Sequence, residues 1–478
     1  MGKLKLTGKE IRAIGYPEGP VISIAMSVME KNYKHHTKEE ALEILKNVLN
    51  EPAEYKNDAV LAVIAEQLLP KEPPAGEVLL NQQGIQFSVF GAEHIEAGAM
   101  HQMYIATKLP VAVAGALMPD AHHGYGLPIG GVLATNNAVI PYGVGVDIGC
   151  RMCLSIFSID PEELKQKEAW FTRELNEATL FGSGSVFQNP GNHEVMERKE
   201  FGELPLLKGL HGRAWKQLGS SGSGNHFVEF GVVEITGRDE VLGVEPGNYV
   251  GLLSHSGSRG LGATIAGHYT KLAKQKRRLP GEAGNLAWLT LDEEEGIEYW
   301  MAMSLAGDYA SACHHIIHNK IAKQLGQRPL KRVENHHNFA WKEIHGGKEV
   351  IVHRKGATPA GKNVLGIIPG SMTAAGFIVK GKGNESAVTS ASHGAGRLMS
   401  RTRAMENITR HALDEELKKH GVTLLGGGLD EAPFAYKNID QVMESQQQLV
   451  DIIGKFTPRI VKMDGEKQRS WRTKERRD

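Results

Sequence analysis

From Thr37 to about Pro70 the apolar residues Ala41, Leu42, Ile44, Leu45, Val48 and Leu49, then Ala59, Leu61, Ala62, Ile64, Leu68 and Leu69, recur at helical spacing, which predicts two short helices. Upstream, "LTGKEIRAIGYPEGPVISIAM" begins with a capping Thr and a short helix, breaks at a Gly-Pro pair and starts a second apolar helical run. "KEPPAGEVLL" reads as a linker. Beyond it the pattern changes to short β-rich runs, "VAVAG", "GVLAT", "NYVGLLSH" and "KEVIVHRKG", separated by glycine-dense loops. Helical patterns intervene at "PEELKQKEAWFTRELNEA" and "EEGIEYWMAMSLAGDYASACHHIIHNKIAKQL", without the regular strand–helix alternation of a doubly wound sheet. The class expected is α+β: a helical N-terminal extension over residues 1–75, one large mixed body over 76–463 and a basic tail over 464–478. The extension reads as a plain helical appendage, with an RNA-contacting hairpin as the alternative; the tail reads as solvated, with RNA contact again the alternative.

Composition narrows the class without naming a partner. The 478 residues are 41% hydrophobic and 23% charged, ordinary for a globular protein. Lys+Arg and Asp+Glu both total 55, so no global field draws in nucleic acid, and RNA binding would need a local basic patch. No window approaches the roughly 18 apolar residues of a membrane helix, and the N-terminus lacks a signal-peptide core, so no membrane partner and a cytoplasmic location are expected. Three cysteines, Cys150, Cys153 and Cys313, are too few and too odd for a disulfide framework. Histidine stands out at 21 residues, many beside Gly, Asn or Ser.

Those histidines sit in loops that suit metal or phosphoryl chemistry. "VIPYGVGVDIGCRMC" sets Asp147 and Cys150 three apart in a Gly-flanked turn, so that carboxylate and thiolate could face one cavity. Cys150-x-x-Cys153 lacks both a second cysteine pair and a thioredoxin-like context. His226 in "GSGNHFVEF", His255 in "LLSHSGSRGLG" and His336 and His337 in "VENHHNFAW" each follow small or polar residues next to a strand pattern. One such residue would read as a hydrogen-bonded loop histidine; several, with Asp147 and Cys150, predict a shared site. "SASHGAGRLMSR" exposes His393 ahead of a Gly-Ala-Gly turn and Arg397, where backbone N–H groups and a guanidinium can approach phosphate oxygens. His314 and His318 are i,i+4 on a helix but lack the Glu of a zincin and read as structural or surface groups. His122 and His123 are expected to line the cavity, and no P-loop or dinucleotide fingerprint is present.

The runs "MPDAHHGYGLPIGGVLAT", "VIPYGVGVDIGCRM", "GSGNHF", "SGSRG", "VHRKGAT", "PGSM", "SHGAGR" and "EAPFAYKNID" resemble, in family order, the RtcB-type RNA ligases from about residue 80 to 462. The resemblance implies two manganese ions bridged by Cys150, one completed by Asp147 and His226, the other by His255 and His337. It implies His393 as the catalytic nucleophile that accepts GMP from GTP. The nucleotide is expected against Asn225, Glu229, Asn338, the Pro369, Gly370, Ser371, Met372 turn, the Gly394, Ala395, Gly396 loop and Lys462, with Glu229 choosing guanine and Arg259 clamping phosphate. The implied substrate is RNA with a 3′-phosphate or 2′,3′-cyclic phosphate end and a 5′-hydroxyl end, joined in RNA repair or tRNA splicing; an archease-like activator is a further partner the family allows. By softness a thiolate with imidazoles suits zinc, so manganese comes from the resemblance alone. The chain departs from the family pattern at Arg151, Pro359, Gly376 and Ser392, and it continues past Lys462. A dinuclear phosphoesterase acting on RNA ends is the competing reading of the same donors.

Overall fold

A computed structural model describes residues 4–17, 19–69 and 77–465. The chain divides into two compact units, Met1–Gly76 and Glu77–Asp478. From residue 466 the basic tail lies outside the described residues. Among the described residues no helix is long and apolar enough to cross a membrane.

In the first unit, helices Gly8–Ala13 and Lys38–Asn50 each begin at a capping box. Thr7 and Thr37 accept from the amides of Glu10 and Glu40, whose carboxylates return to the threonine amides, so two orphan donors are satisfied at each start. The pair predicted over 37–70 appears as Lys38–Asn50 and Ala62–Leu68, with a 3-10 turn Pro52–Tyr55 between them. The second helix starts later than the apolar spacing suggests because Asp58 accepts from the amides of Val60 and Leu61 and holds a turn there. Ile11, Ala25, Met29, Leu45, Val48 and Ile64 close a core drawn from this unit alone.

Two large sheets dominate the second unit, which also holds two two-stranded sheets among the described residues. A five-stranded sheet runs in the order Ser88–Val89, Ala112–His122, Ile129–Thr135, Lys348–Lys355, Phe339–His345, antiparallel except for its first pair. The larger sheet runs Leu365–Ile368, Gly376–Gly381, Val450–Met463, Phe227–Ile235, Gly247–Ser256, Arg151–Phe157, Lys331–His336, antiparallel throughout, with Thr423–Leu425 added in parallel to Val450–Met463. The unit is thus α+β, as the irregular order of strand and helix patterns implied.

Because the side-chain period of a strand is two, alternate residues of the larger sheet serve two different surroundings. On one face, Phe227, Glu229, Leu253 and His255 line a cavity. Toward the other, Ser155 and Ser254 meet the 32-residue helix Glu294–Leu325 through its His314 and His318.

Candidate metal centre and nucleotide cavity

The register of the larger sheet gathers the site. Phe227 lies opposite His255, Met152 opposite His255, and Arg151 opposite His336. In an antiparallel sheet, neighbouring strands alternately begin and end at one edge. His226 therefore precedes one strand, His255 is next to last in the second, Cys150 precedes the third and His337 follows the fourth, all at the same end. Backbone bonds lock the loops: His337 donates to the Cys150 carbonyl at 2.9 Å, and Gly149 to that of Asn338 at 2.9 Å. Gly149 has φ +66°, and a Cβ there would stand 2.8 Å from Gly307 Cα on the long helix, so only glycine fits this turn.

The side chains converge on Cys150. Its Sγ is 3.5 Å from His226 Nε2 and 3.1 Å from His255 Nε2; His226 Nε2 is 2.9 Å from Asp147 Oδ2, and His255 Nε2 is 3.2 Å from His337 Nε2. Two triads share the thiol, Asp147–Cys150–His226 and Cys150–His255–His337, each with donor atoms within 4.8 Å of one another. His255 Nδ1 is 2.9 Å from the Asn225 carbonyl, which can only accept, so its Nε2 carries a bare lone pair facing His337 and the thiol. Burial holds the His255 imidazole at about 3 and pushes that of His337 well below its ordinary range, keeping both neutral. Buried Nδ1 atoms of His226 and His337 have no hydrogen-bond partner among the described residues. Three imidazoles, a thiol and a carboxylate converging at these distances form a donor set that fits divalent cations, which would take the thiol as thiolate.

His393 sits beside this cluster, its ring 4.8 Å from that of His337. It follows the strand Ser390–Ser392, which pairs with Ala357–Pro359. Asp120, fully buried in the strand Ala112–His122, accepts from both the His393 amide at 3.1 Å and Nδ1 at 2.7 Å. Burial raises the Asp120 carboxyl, but its hydrogen bond and electrostatic attraction to His393, with Lys437 nearby, more than offset that, leaving it below the usual carboxylate range. Asp120 escaped the sequence reading. It lies within "MPDAHHGYG", but nothing local announces a contact 273 positions away.

A cavity of about 330 Å³ opens next to His393 and is lined by Asn225, Glu229, Pro369, Gly370, Ser371, Met372, Gly394, Ala395 and Gly396, together with His122, Gly376 and Tyr436. That volume is at the lower end of small-molecule sites. Burial, with no hydrogen bond to offset it, pushes the Glu229 carboxyl well up. The Asn338 and Lys462 side chains are not among the lining groups. Asn338 spans Asp147 O and the Gly356 amide, and Lys462 Nζ lies 3.3 Å from the carbonyls of Asn176 and Thr179, its pKa lowered by burial to about 8. Arg259 donates to Ser220 Oγ and the Gly182 carbonyl, and Arg397 to Glu431 and the Asp430 carbonyl, so both guanidiniums are already engaged. His123 is exposed and is not a lining residue. Arg151 turns to the Gly307 carbonyl and Glu334, away from the metal donors.

Comparison with known proteins agrees with these motifs. A family model described as tRNA-splicing ligase RtcB matches residues 102–209 and 205–464. The chain belongs to the RtcB family. It is 33% identical over 395 residues to the RNA-splicing ligase RtcB of Escherichia coli strain K12, covering 75% of this chain and 92% of that protein. It is 31% identical over 415 residues to the RNA-splicing ligase RtcB of Mycobacterium tuberculosis, covering 73% and 96%. The tRNA-splicing ligase RtcB of Nanoarchaeum equitans is 31% identical over 411 residues, covering 72% and 86%. Family membership thus spans the body that carries both the donor cluster and His393.

Proposed function

We infer that this protein is an RNA ligase acting in tRNA splicing or RNA repair, which joins an RNA 3′-phosphate or 2′,3′-cyclic phosphate end to a 5′-hydroxyl end through GMP carried on His393. The observation that carries the reading is His393 itself, anchored by Asp120, open to the cavity lined by Asn225 and Glu229 and next to the metal donors. An ionised carboxylate can only accept, so Asp120 fixes the proton on Nδ1 and leaves the Nε2 lone pair free. Nε2 attacks the α-phosphorus of GTP; an N–P bond forms as the bond to pyrophosphate breaks, and pyrophosphate leaves with the electron pair. Two manganese ions, held by Asp147, Cys150 and His226 and by Cys150, His255 and His337, would neutralise charge on the phosphates. The guanylate then passes to an RNA 3′-phosphate, returning the imidazole lone pair, and the RNA 5′-hydroxyl displaces GMP to seal the strand. A cyclic end is first opened by water. Glu229 is suited to accept from the guanine N–H groups, which favours GTP over ATP.

A cytoplasmic site of action goes with this reading, since Cys150, Cys153 and Cys313 are all free thiols. A dinuclear phosphoesterase would use the same metal donors to activate water, but it has no use for an anchored imidazole nucleophile. The test is incubation with manganese and GTP labelled at the α-phosphate, beside His393→Ala. Acid-labile label on the wild-type chain only is expected. Absence of label from manganese-loaded wild type would overturn the ligase reading in favour of the phosphoesterase.

A further inference from the structure

A second group of metal-type donors lies behind the sheet. Cys153, His314 and His318 are fully buried, and their donor atoms all lie within 4.8 Å of one another. Although only two residues separate Cys153 from Cys150, the two thiols belong to different donor groups. Cys153 stands opposite Ser254 on one neighbouring strand and Glu334 on the other, so thiol, hydroxyl and carboxylate form a row across three strands. His314 and His318, one turn apart on the long helix, face that row.

The hydrogen bonds orient both imidazoles toward one point. His314 Nε2 is 3.1 Å from the Ser256 carbonyl, an acceptor only, so Nε2 carries the proton and Nδ1 is bare. That Nδ1 and His318 Nε2 lie 2.6 and 2.7 Å from the same atom, Ser254 Oγ. One hydroxyl proton can serve only one of the two nitrogens. His318 Nδ1 is 2.8 Å from Ser155 Oγ, which can accept a proton there and free Nε2. Metal-binding histidines are commonly held in this way, the remote nitrogen bonded to a carbonyl or hydroxyl and the near one turned inward. Glu334, already held by Arg151 at 3.2 Å and by His315, borders the thiol and is spoken for.

We propose that Cys153, His314 and His318 form a second, buried metal site between the sheet and the long helix, taking a zinc-like divalent cation with Ser254 Oγ as a neutral fourth donor. One thiolate and two imidazoles suit zinc or cobalt and disfavour magnesium or calcium, which demand oxygen. With all three donors buried, the ion staples the long helix to the back of the sheet. Binding releases the Cys153 proton and shifts that of His318 to Nδ1. The site is independent of the ligation reading, because it shares no donor with the cluster around Cys150.

The test titrates the metal-free full-length chain with cobalt(II) and follows the thiolate-to-cobalt charge-transfer absorption. In Cys150→Ser, which lacks the thiol of the front cluster, a chromophore equivalent to one ion per chain is expected to persist; in Cys150→Ser/Cys153→Ser it is expected to vanish. A Cys150→Ser protein that is folded by circular dichroism and shows no chromophore overturns the proposal and leaves the group a purely hydrogen-bonded network. Should Cys150→Ser fail to fold, wild type against His318→Gln decides: loss of one bound cobalt per chain supports the site, and equal uptake overturns it. Neither result touches the labelling of His393, so failure here and failure of the ligase reading are separable.

Discussion

Asp120 is fully buried and bonds His393 through both the amide and Nδ1, so one carboxylate sets the backbone and the tautomer of the proposed nucleophile together. Asp120→Asn keeps the volume but removes the charge that holds the proton on Nδ1. The rate of GMP attachment is expected to fall by about 100-fold or more, the scale on which a misplaced catalytic proton costs. The check is a time course of label transfer; an unchanged rate would refute the role. Burial alone holds the Glu229 carboxyl well above its ordinary value, so its ionisation in the cavity is opposed by desolvation. Guanine offers N–H donors and favours the ionised form, so nucleotide affinity should rise with pH as the proton becomes easier to lose. Measured with His393→Ala, where no adduct forms, GTP affinity should show that rise, and Glu229→Gln should flatten it and weaken binding roughly 10-fold or more, the worth of about 1.4 kcal/mol in charge-assisted hydrogen bonding. A pH-independent wild-type affinity would count against Glu229 as the guanine acceptor.

At the scale of elements, the loop after Ser390–Ser392 must pass tightly over the strand that carries Asp120. Gly396 has φ +75°, and a Cβ there would stand 2.1 Å from the Asp120 carbonyl oxygen. Gly396→Ala meets both obstacles at once: about 1–2 kcal/mol for the left-handed backbone and a backbone contact that cannot yield without moving the loop. Reduced thermal stability together with loss of GMP attachment is expected, while manganese uptake at the front cluster persists because its donors come from other loops. A variant that labels normally would show that the loop can shift at little cost. The helix patterns and the β-rich runs were legible because their periods of 3.6 and two differ. The late start at Ala62 was not, since it depends on the carboxylate of Asp58 capturing two amides. Lys462 fails to line the cavity for a related reason: in the pleat of Val450–Met463 its neighbours Val461 and Met463 line the cavity, so the residue between them turns to the other side.

For the molecule as a whole, buried histidines make stability sensitive to acid. His353 is fully buried, its Nε2 accepting from the Ile140 amide at 2.9 Å, and burial lowers its pKa from 6.5 to about 4. A base with a depressed folded pKa binds its proton more readily when unfolded. Its contribution is therefore complete above about pH 6.5 and is lost as pH falls toward 4, a change on the order of 3 kcal/mol. Glu334 adds to the same trend at lower pH. Burial raises its carboxyl, but His315 and Arg151 hold it at about 2, so its stabilisation is present above the ordinary value of 4.5 and disappears as pH falls through 2. Melting temperatures measured between pH 7.5 and 4 should fall, less steeply in His353→Gln; equal slopes would remove His353 from the account. The sequence by itself determined the class of fold, the family, and the chemistry of the donors, because rare side chains in glycine-flanked loops keep their identity whatever the chain does elsewhere. Only the tertiary structure decided which of them meet. The antiparallel register brings His226, His255, Cys150 and His337 to one end of the larger sheet, the pleat separates Cys153 from Cys150 toward His314 and His318, and packing between sheets joins Asp120 to His393. Those pairings are fixed by strand alternation and long-range packing, quantities that no local window of residues contains.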